Sequence, residues 1–191
     1  MSATSAPFGM RPVYHPSGVI RPAALTGGLA SGYANNIYMN QPVQLTAAGL
    51  IKEIANNTDE YVGVFCGVDY TPLGGRPVKG GFWPGGTVLQ PNTEVIVYYT
   101  DDPWIEYEVQ TDGTVAFANS VGGGAGFTNI TAGSTLTGLS QCTLSATITT
   151  GNQQFRVTGL TAYPTNAWGD AFVILRGLIG LHQFAGNKAT I

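Results

Sequence analysis

Residues 60–70, EYVGVFCGVDY, alternate strictly, with Val62, Val64, Cys66 and Val68 set against Tyr61, Gly63, Phe65 and Gly67. A period of two is a strand signal, and glycines gathered on one face predict a close neighbour on that side. The same period runs through 104–117, where Ile105, Tyr107 and Val109 alternate with Glu106 and Glu108, and Asp112-Gly113 predicts a hairpin turn. It returns at 134–160. There Cys142, Leu144, Ala146 and Ile148 share one face and Thr143, Ser145 and Thr147 the other; Gly151-Asn152 predicts a turn, with Phe155 and Val157 as the answering strand. Two runs are apolar almost throughout. EVIVYYT (94–100) predicts a strand covered on both faces. AFVILRGLIGLHQF (171–184), β-branched at its start and broken by two glycines, predicts a long bent strand. The best helical candidate is a short turn in LTAAGLIKEIANNT (45–58), interrupted by Gly49.

Many short strands separated by turn residues predict an all-β fold, a β-barrel or a jelly-roll-like β-sandwich with long glycine-rich loops. The β-rich domain is expected over 23–191. The glycine loop at 121–126 is either a hinge, dividing that domain near 119–133, or a loop at the edge of one sandwich. Within TAYPTNAWGDAF (161–172), Tyr163 and Trp168 are expected in a β-turn that caps the barrel end.

Residues 1–22 read differently. FGMRPVYHPSGVIRP (8–22) holds prolines at 12, 16 and 22, and each removes a backbone donor and extends its predecessor. Yet the stretch carries Phe8, Met10, Val13, Tyr14, Val19 and Ile20, too apolar for a linker. An extended arm needs a surface to bury these against. The leading expectation is a strap laid on a neighbouring subunit, about 65 Å long for some 20 residues at ~3.3 Å each. In that reading Phe8, Arg11, Tyr14, His15 and Arg21 are partner-binding residues, with the arginines meeting carboxylates. The alternatives are packing along its own domain and disorder.

Composition supports a molecule built for contact. Charged residues are 10% of the 191, and the net charge is −3, so self-repulsion is weak. The eight Lys and Arg are scattered, which argues against nucleic acid. No run approaches a membrane span, and MSATSAPFGM lacks the pattern of a signal peptide, so folding in the cytoplasm is expected. Cys66 and Cys142 sit in apolar runs without C-x-x-C spacing and read as buried small hydrophobes. The sequons at Asn56 and Asn129 then carry no glycan.

Few residues suggest chemistry. His182 lies in the apolar terminal run and reads as structural, and no zinc spacing or nucleophile elbow occurs. No cofactor, metal or catalytic residue is expected. Asp101, Asp102, Glu106 and Glu108 gather in TDDPWIEYE; the plain reading is a turn and a wet strand face. The alternatives are a calcium site and a glycosidase pair with Trp104 and Tyr107 as the sugar platform. PLGGRPVKGGFWPGG (72–86) lacks the order of a phosphate-binding loop. Its Phe82 and Trp83 are expected to contact a partner, with core anchoring and ligand binding as the alternatives.

FGMRPVYHPSG, YVGVFCGVDY, YYTDDPWIEYEVQTDG and YPTNAWGDAF together resemble tailed-bacteriophage virion proteins of the capsid decoration, cement or head-stabilising kind. The resemblance implies a β-rich protein, commonly a homotrimer although a dimer is compatible, on the outside of an expanded capsid. There it would bridge neighbouring major capsid protein subunits without catalysis. No functional residue is carried over from it. The alternatives are a head fibre or tail component, and a carbohydrate-binding or glycoside-cleaving β-domain built on Trp83, Trp104 and Trp168.

Overall fold

The computed structural model describes residues 4–118, 120–184 and 186–187. The described residues are all β, with no α-helix. In chain order the strands are β1 (Arg11–Tyr14), β2 (Ala23–Thr26), β3 (Ile37–Tyr38), β4 (Pro42–Leu45), β5 (Ile51–Glu53) and β6 (Gly63–Tyr70). They continue with β7 (Val78–Gly80), β8 (Phe82–Trp83), β9 (Ile96–Tyr99), β10 (Glu106–Gln110), β11 (Gly124–Ala125) and β12 (Phe127–Thr128). The last five are β13 (Thr143–Leu144), β14 (Phe155–Leu160), β15 (Ile174–Ile179), β16 (Leu181–His182) and β17 (Gly186–Asn187).

One antiparallel sheet has five strands in the order β1-β10-β15-β14-β11. A second has six, ordered β2-β9-β6-β4-β5, with β7 pairing the far half of β6. The second sheet curls until Ile51 N at the start of β5 donates to Gly28 O just beyond β2, at 2.8 Å. That single bond closes no barrel, and the arrangement is that of a sandwich. A two-stranded ribbon, β3-β8, supplies Ile37 and Trp83 to the curled sheet's interior.

Two apolar cores result. The first lies on the inner face of the five-stranded sheet, where Tyr107, Val109, Phe155, Val157, Leu175 and Ile179 meet Met10, Phe127 and Leu144. The second fills the curled sheet with Val43, Ile51, Val97, Tyr99, Ile37 and Trp83. Strand β6 contributes to both: Val64 and Cys66 face the first, Phe65, Val68 and Tyr70 the second. The strict alternation expected there is broken by a bulge between Phe65 and Gly67, opposite Tyr99 and Tyr98. One extra residue flips the phase, so Val68 leaves the face that Val64 and Cys66 share. The close approach predicted by the glycines is present: a Cβ on Gly63 would lie 1.9 Å from Thr100 O.

Several local expectations are corrected. Residues 45–58 hold no helical turn; β4 and β5 form a hairpin across a tight turn, with Thr46 N donating to Leu50 O at 2.9 Å and Gly49 at φ +73°. Asp112-Gly113 joins no hairpin, because β10 pairs with β1 and β15. Instead the Asp112 carboxylate accepts from Ala146 N at 2.8 Å and Thr128 Oγ1 at 3.1 Å, fastening two other segments. Phe155 and Val157 are buried but lie in β14 between β15 and β11, not against 142–148. Strand β9 is sealed on one face only, by Val97 and Tyr99, while Ile96 and Tyr98 are half-buried. The predicted terminal strand is interrupted at Gly180 between β15 and β16. Gly122 to Ala125 are buried, and Gly122 N donates to Val157 O at 2.9 Å.

Candidate functional site

Residues Arg11–Tyr14 of the arm form an edge strand of the domain itself. Proline has no donor to offer a second neighbour, so it suits a strand bonded on one side, and β1 pairs with β10 alone, placing Pro12 opposite Tyr107. Upstream, Ala6 N donates to the Gln110 side chain at 2.9 Å and Met10 N to Asn40 O at 2.8 Å. Met10 is wholly buried in the first core. The strap onto a neighbouring subunit is therefore corrected for β1 and Met10, which pair and pack within the molecule, while Tyr14 stays exposed.

The polar face of the arm lies over the outer side of β10 and β15. Arg11 donates to Glu108 Oε2 at 2.6 Å and to Tyr163 Oη at 2.6 Å, and Tyr163 donates to the same Glu108 oxygen at 2.9 Å. The Phe8 ring lies beneath the Arg11 guanidinium, 4.8 Å from its centroid. The hydrogen bond to Glu108 is the largest cause of the raised Arg11 pKa, with burial opposing it. One register step along, Arg176 is ion-paired with Glu106 and covers the exposed Tyr14 ring at 5.1 Å. Tyr163 is thus a member of this cluster rather than only part of a turn at the sheet's end.

His15 is held within the molecule. Its Nδ1 accepts from Ser17 N at 3.1 Å, which leaves Nε2 to face Asp102 Oδ2 at 3.0 Å. His15, Ser17, Arg21 and Asp102 line an open depression of about 420 Å³. Arg21 is exposed at its rim.

The two aromatic residues of the glycine-rich loop part company. Trp83 is fully buried, edge-on to Tyr70 at 5.1 Å, so its expected place at a partner surface is corrected to core anchoring. Phe82 is half-buried and stacks on Tyr38 at 5.2 Å.

Three of the four clustered acids already have a side-chain partner: Asp102 has the His15 ring, Glu106 has Arg176 and Glu108 has Arg11. Tyr107 is wholly buried and bonded to Thr100 Oγ1 at 2.9 Å, so it offers no platform to a sugar. Among the described residues no three His, Cys, Asp or Glu side chains are placed to share a metal ion. His182 is buried, with Nε2 3.1 Å from Asp101 O and Nδ1 accepting from Phe184 N at 3.1 Å. Both cysteines are free thiols; Cys142 is buried and Cys66 half-buried.

Several large apolar side chains stand exposed on the surface. Leu136 is 94% exposed, Phe184 68%, Phe117 64%, Leu73 60% and Trp104 59%. Leu136 sits at the tip of a tight loop closed by Gly138 N to Ser134 O at 2.7 Å and Ser134 N to Leu139 O at 3.0 Å. Sequence reasoning passed over Leu136, because a single leucine among Ser, Thr and Gly carries no periodic signal.

The chain matches no family model, no curated protein and no solved structure.

Proposed function

We propose that the protein is a structural virion component that binds the outer surface of a bacteriophage capsid and cements neighbouring major capsid protein subunits. It would act as a homo-oligomer, with three copies as the first expectation, made in the host cytoplasm and carried on the particle. The resemblance of its sequence to capsid decoration proteins suggests the partner. The observation that carries an adhesive reading is the set of large apolar side chains, led by Leu136, standing on a hydrogen-bonded frame. Contact through several such points favours bridging over the filling of one pocket, and repeated copies add avidity. Arg11 of the arm is matched internally by Glu108, so this pair should add little salt dependence to attachment.

A carbohydrate-binding domain needs exposed aromatic platforms. Of the three indoles, Trp83 is buried, Trp168 packs edge-on against Phe117 at 5.7 Å, and Trp104 is exposed.

The test is co-sedimentation of the purified protein with empty expanded capsids and with unexpanded shells. Retention on the expanded lattice in both low and high salt is expected. A protein left in the supernatant with both would end the proposal.

A further inference from the structure

Two carboxylates among the described residues are buried, Glu108 and Glu53. Glu108 has a tyrosine hydroxyl and an arginine. Glu53 has the tyrosine but not the arginine: Tyr33 Oη donates to Oε2 at 2.5 Å and Asn35 Nδ2 to Oε1 at 2.5 Å. No Lys, Arg or His among the described residues forms an ion pair with it. Its sequence neighbour Lys52 falls on the opposite face of β5, because successive residues of a strand alternate. Buried carboxylates are ordinarily paired with a cation or a metal, and each carboxylate oxygen has room for a second donor.

Glu53 also has space before it. It ends β5 on the face that carries Ile51 into the second core, and forms part of a depression of about 330 Å³ with Ala34, Asn35, Asn36, Tyr38 and Thr131. The wall is polar apart from Ala34 and the Tyr38 ring. Asn36 is tied down, its Nδ2 donating to Tyr38 Oη at 3.1 Å and its Oδ1 accepting from Gly85 N at 2.8 Å. Burial, then the hydrogen bond to Glu53, raises the Tyr33 pKa, so its hydroxyl stays a donor. A planar cation that forks onto a carboxylate and lies against an aromatic ring suits this wall better than a compact ammonium.

We propose that this depression receives the guanidinium of an arginine presented by a partner protein, with Glu53 as its counter-charge. On the adhesive reading above, on which the identity of the partner rests, that arginine belongs to the major capsid protein.

The experiment is an NMR titration of the full chain with N-acetyl-arginine amide, with the neutral citrulline analogue and calcium chloride as comparisons. The arginine compound is expected to move the amide signals of Asn35, Asn36 and Thr131 saturably, and the other two to leave them in place. Glu53→Gln should abolish the response at least tenfold in affinity while keeping the native spectrum. Should that variant not fold, Thr131→Arg places a guanidinium at the mouth in cis, and is expected to raise Tm and block the titration. Equal responses to arginine and citrulline, a response to calcium, or an unaltered titration in Thr131→Arg would each overturn the site. The titration uses no capsid, so its failure leaves the sedimentation result untouched. Lost sedimentation with an intact titration would instead remove the capsid as partner and keep the site.

Discussion

Arg11 and Glu108, 97 residues apart in sequence, meet at 2.6 Å on the outer face of the five-stranded sheet. Glu108 is almost fully buried while Arg11 remains partly exposed. The pair ties the start of the chain to its central strand. Removing the arginine strands a buried charge whose remaining side-chain partner is the Tyr163 hydroxyl. That loss is worth about 2–3 kcal/mol, below the figure for a fully buried pair because Arg11 sees solvent. Arg11→Ala should lower denaturant stability by this amount, and Glu108→Gln added to it should return part of the loss. A double-mutant cycle reads the coupling; additive effects would show that the two residues act independently.

Met10 places the arm inside the first core. Met10→Ala should cost about 2–5 kcal/mol, the usual range for emptying such a site. Deleting residues 1–22 should go further, unfolding the domain or lowering Tm sharply, since it also bares the edge of β10. Circular dichroism of the truncated chain checks this. A truncated chain with undiminished Tm would contradict the intramolecular arm.

Gly63 and Gly159 make opposite forecasts. A Cβ on Gly63 would collide with the Thr100 backbone, whereas one on Gly159 would meet nothing within 4 Å. Gly63→Ala should destabilise by about 3 kcal/mol or more by prising β6 from the residue that follows β9. Gly159→Ala should stay within about 0.5 kcal/mol of wild type. Thermal unfolding of the two variants side by side is sufficient.

Burial pushes the Cys66 thiol from 9.0 up to about 11. The folded chain therefore holds this proton more tightly than the unfolded one. The associated stability is complete below pH 9 and is lost as pH rises toward 11. Tyr61 and Tyr107, raised by the same desolvation, extend the loss to higher pH. Cys66→Ala should flatten the decline of stability over that interval, as measured by urea midpoints across alkaline buffers.

Strand β10 was legible because its apolar side chains all go to one face and imprint a period of two, although the wet face expected opposite them is corrected at Glu108, which is buried. Ile105, Tyr107 and Val109 are all in the core, as their alternation with Glu106 and Glu108 predicted. Two misreadings have definite causes. The Thr, Ala and Leu of 45–58 suit a helix locally, but Val43 and Leu45 find their partners across the turn in Glu53 and Ile51. The prolines of 8–22 set that stretch apart from the strands, yet on β1 the missing donor of Pro12 has no second neighbour to serve. The arm's cluster was half visible: Arg11 and Tyr14 stood out, whereas Tyr163 joins them from 152 residues away. Glu53 escaped notice because it lay in the segment read as a helical turn.

Strand β6 sends Val64 into one core and Phe65 into the other. Loss of this strand would remove a wall from both cores at once, which couples their unfolding. Melting should accordingly appear as one calorimetric peak whose van't Hoff and measured enthalpies agree. In the proposed capsid role, such a coat would be lost all at once, at a sharp temperature, rather than by stages.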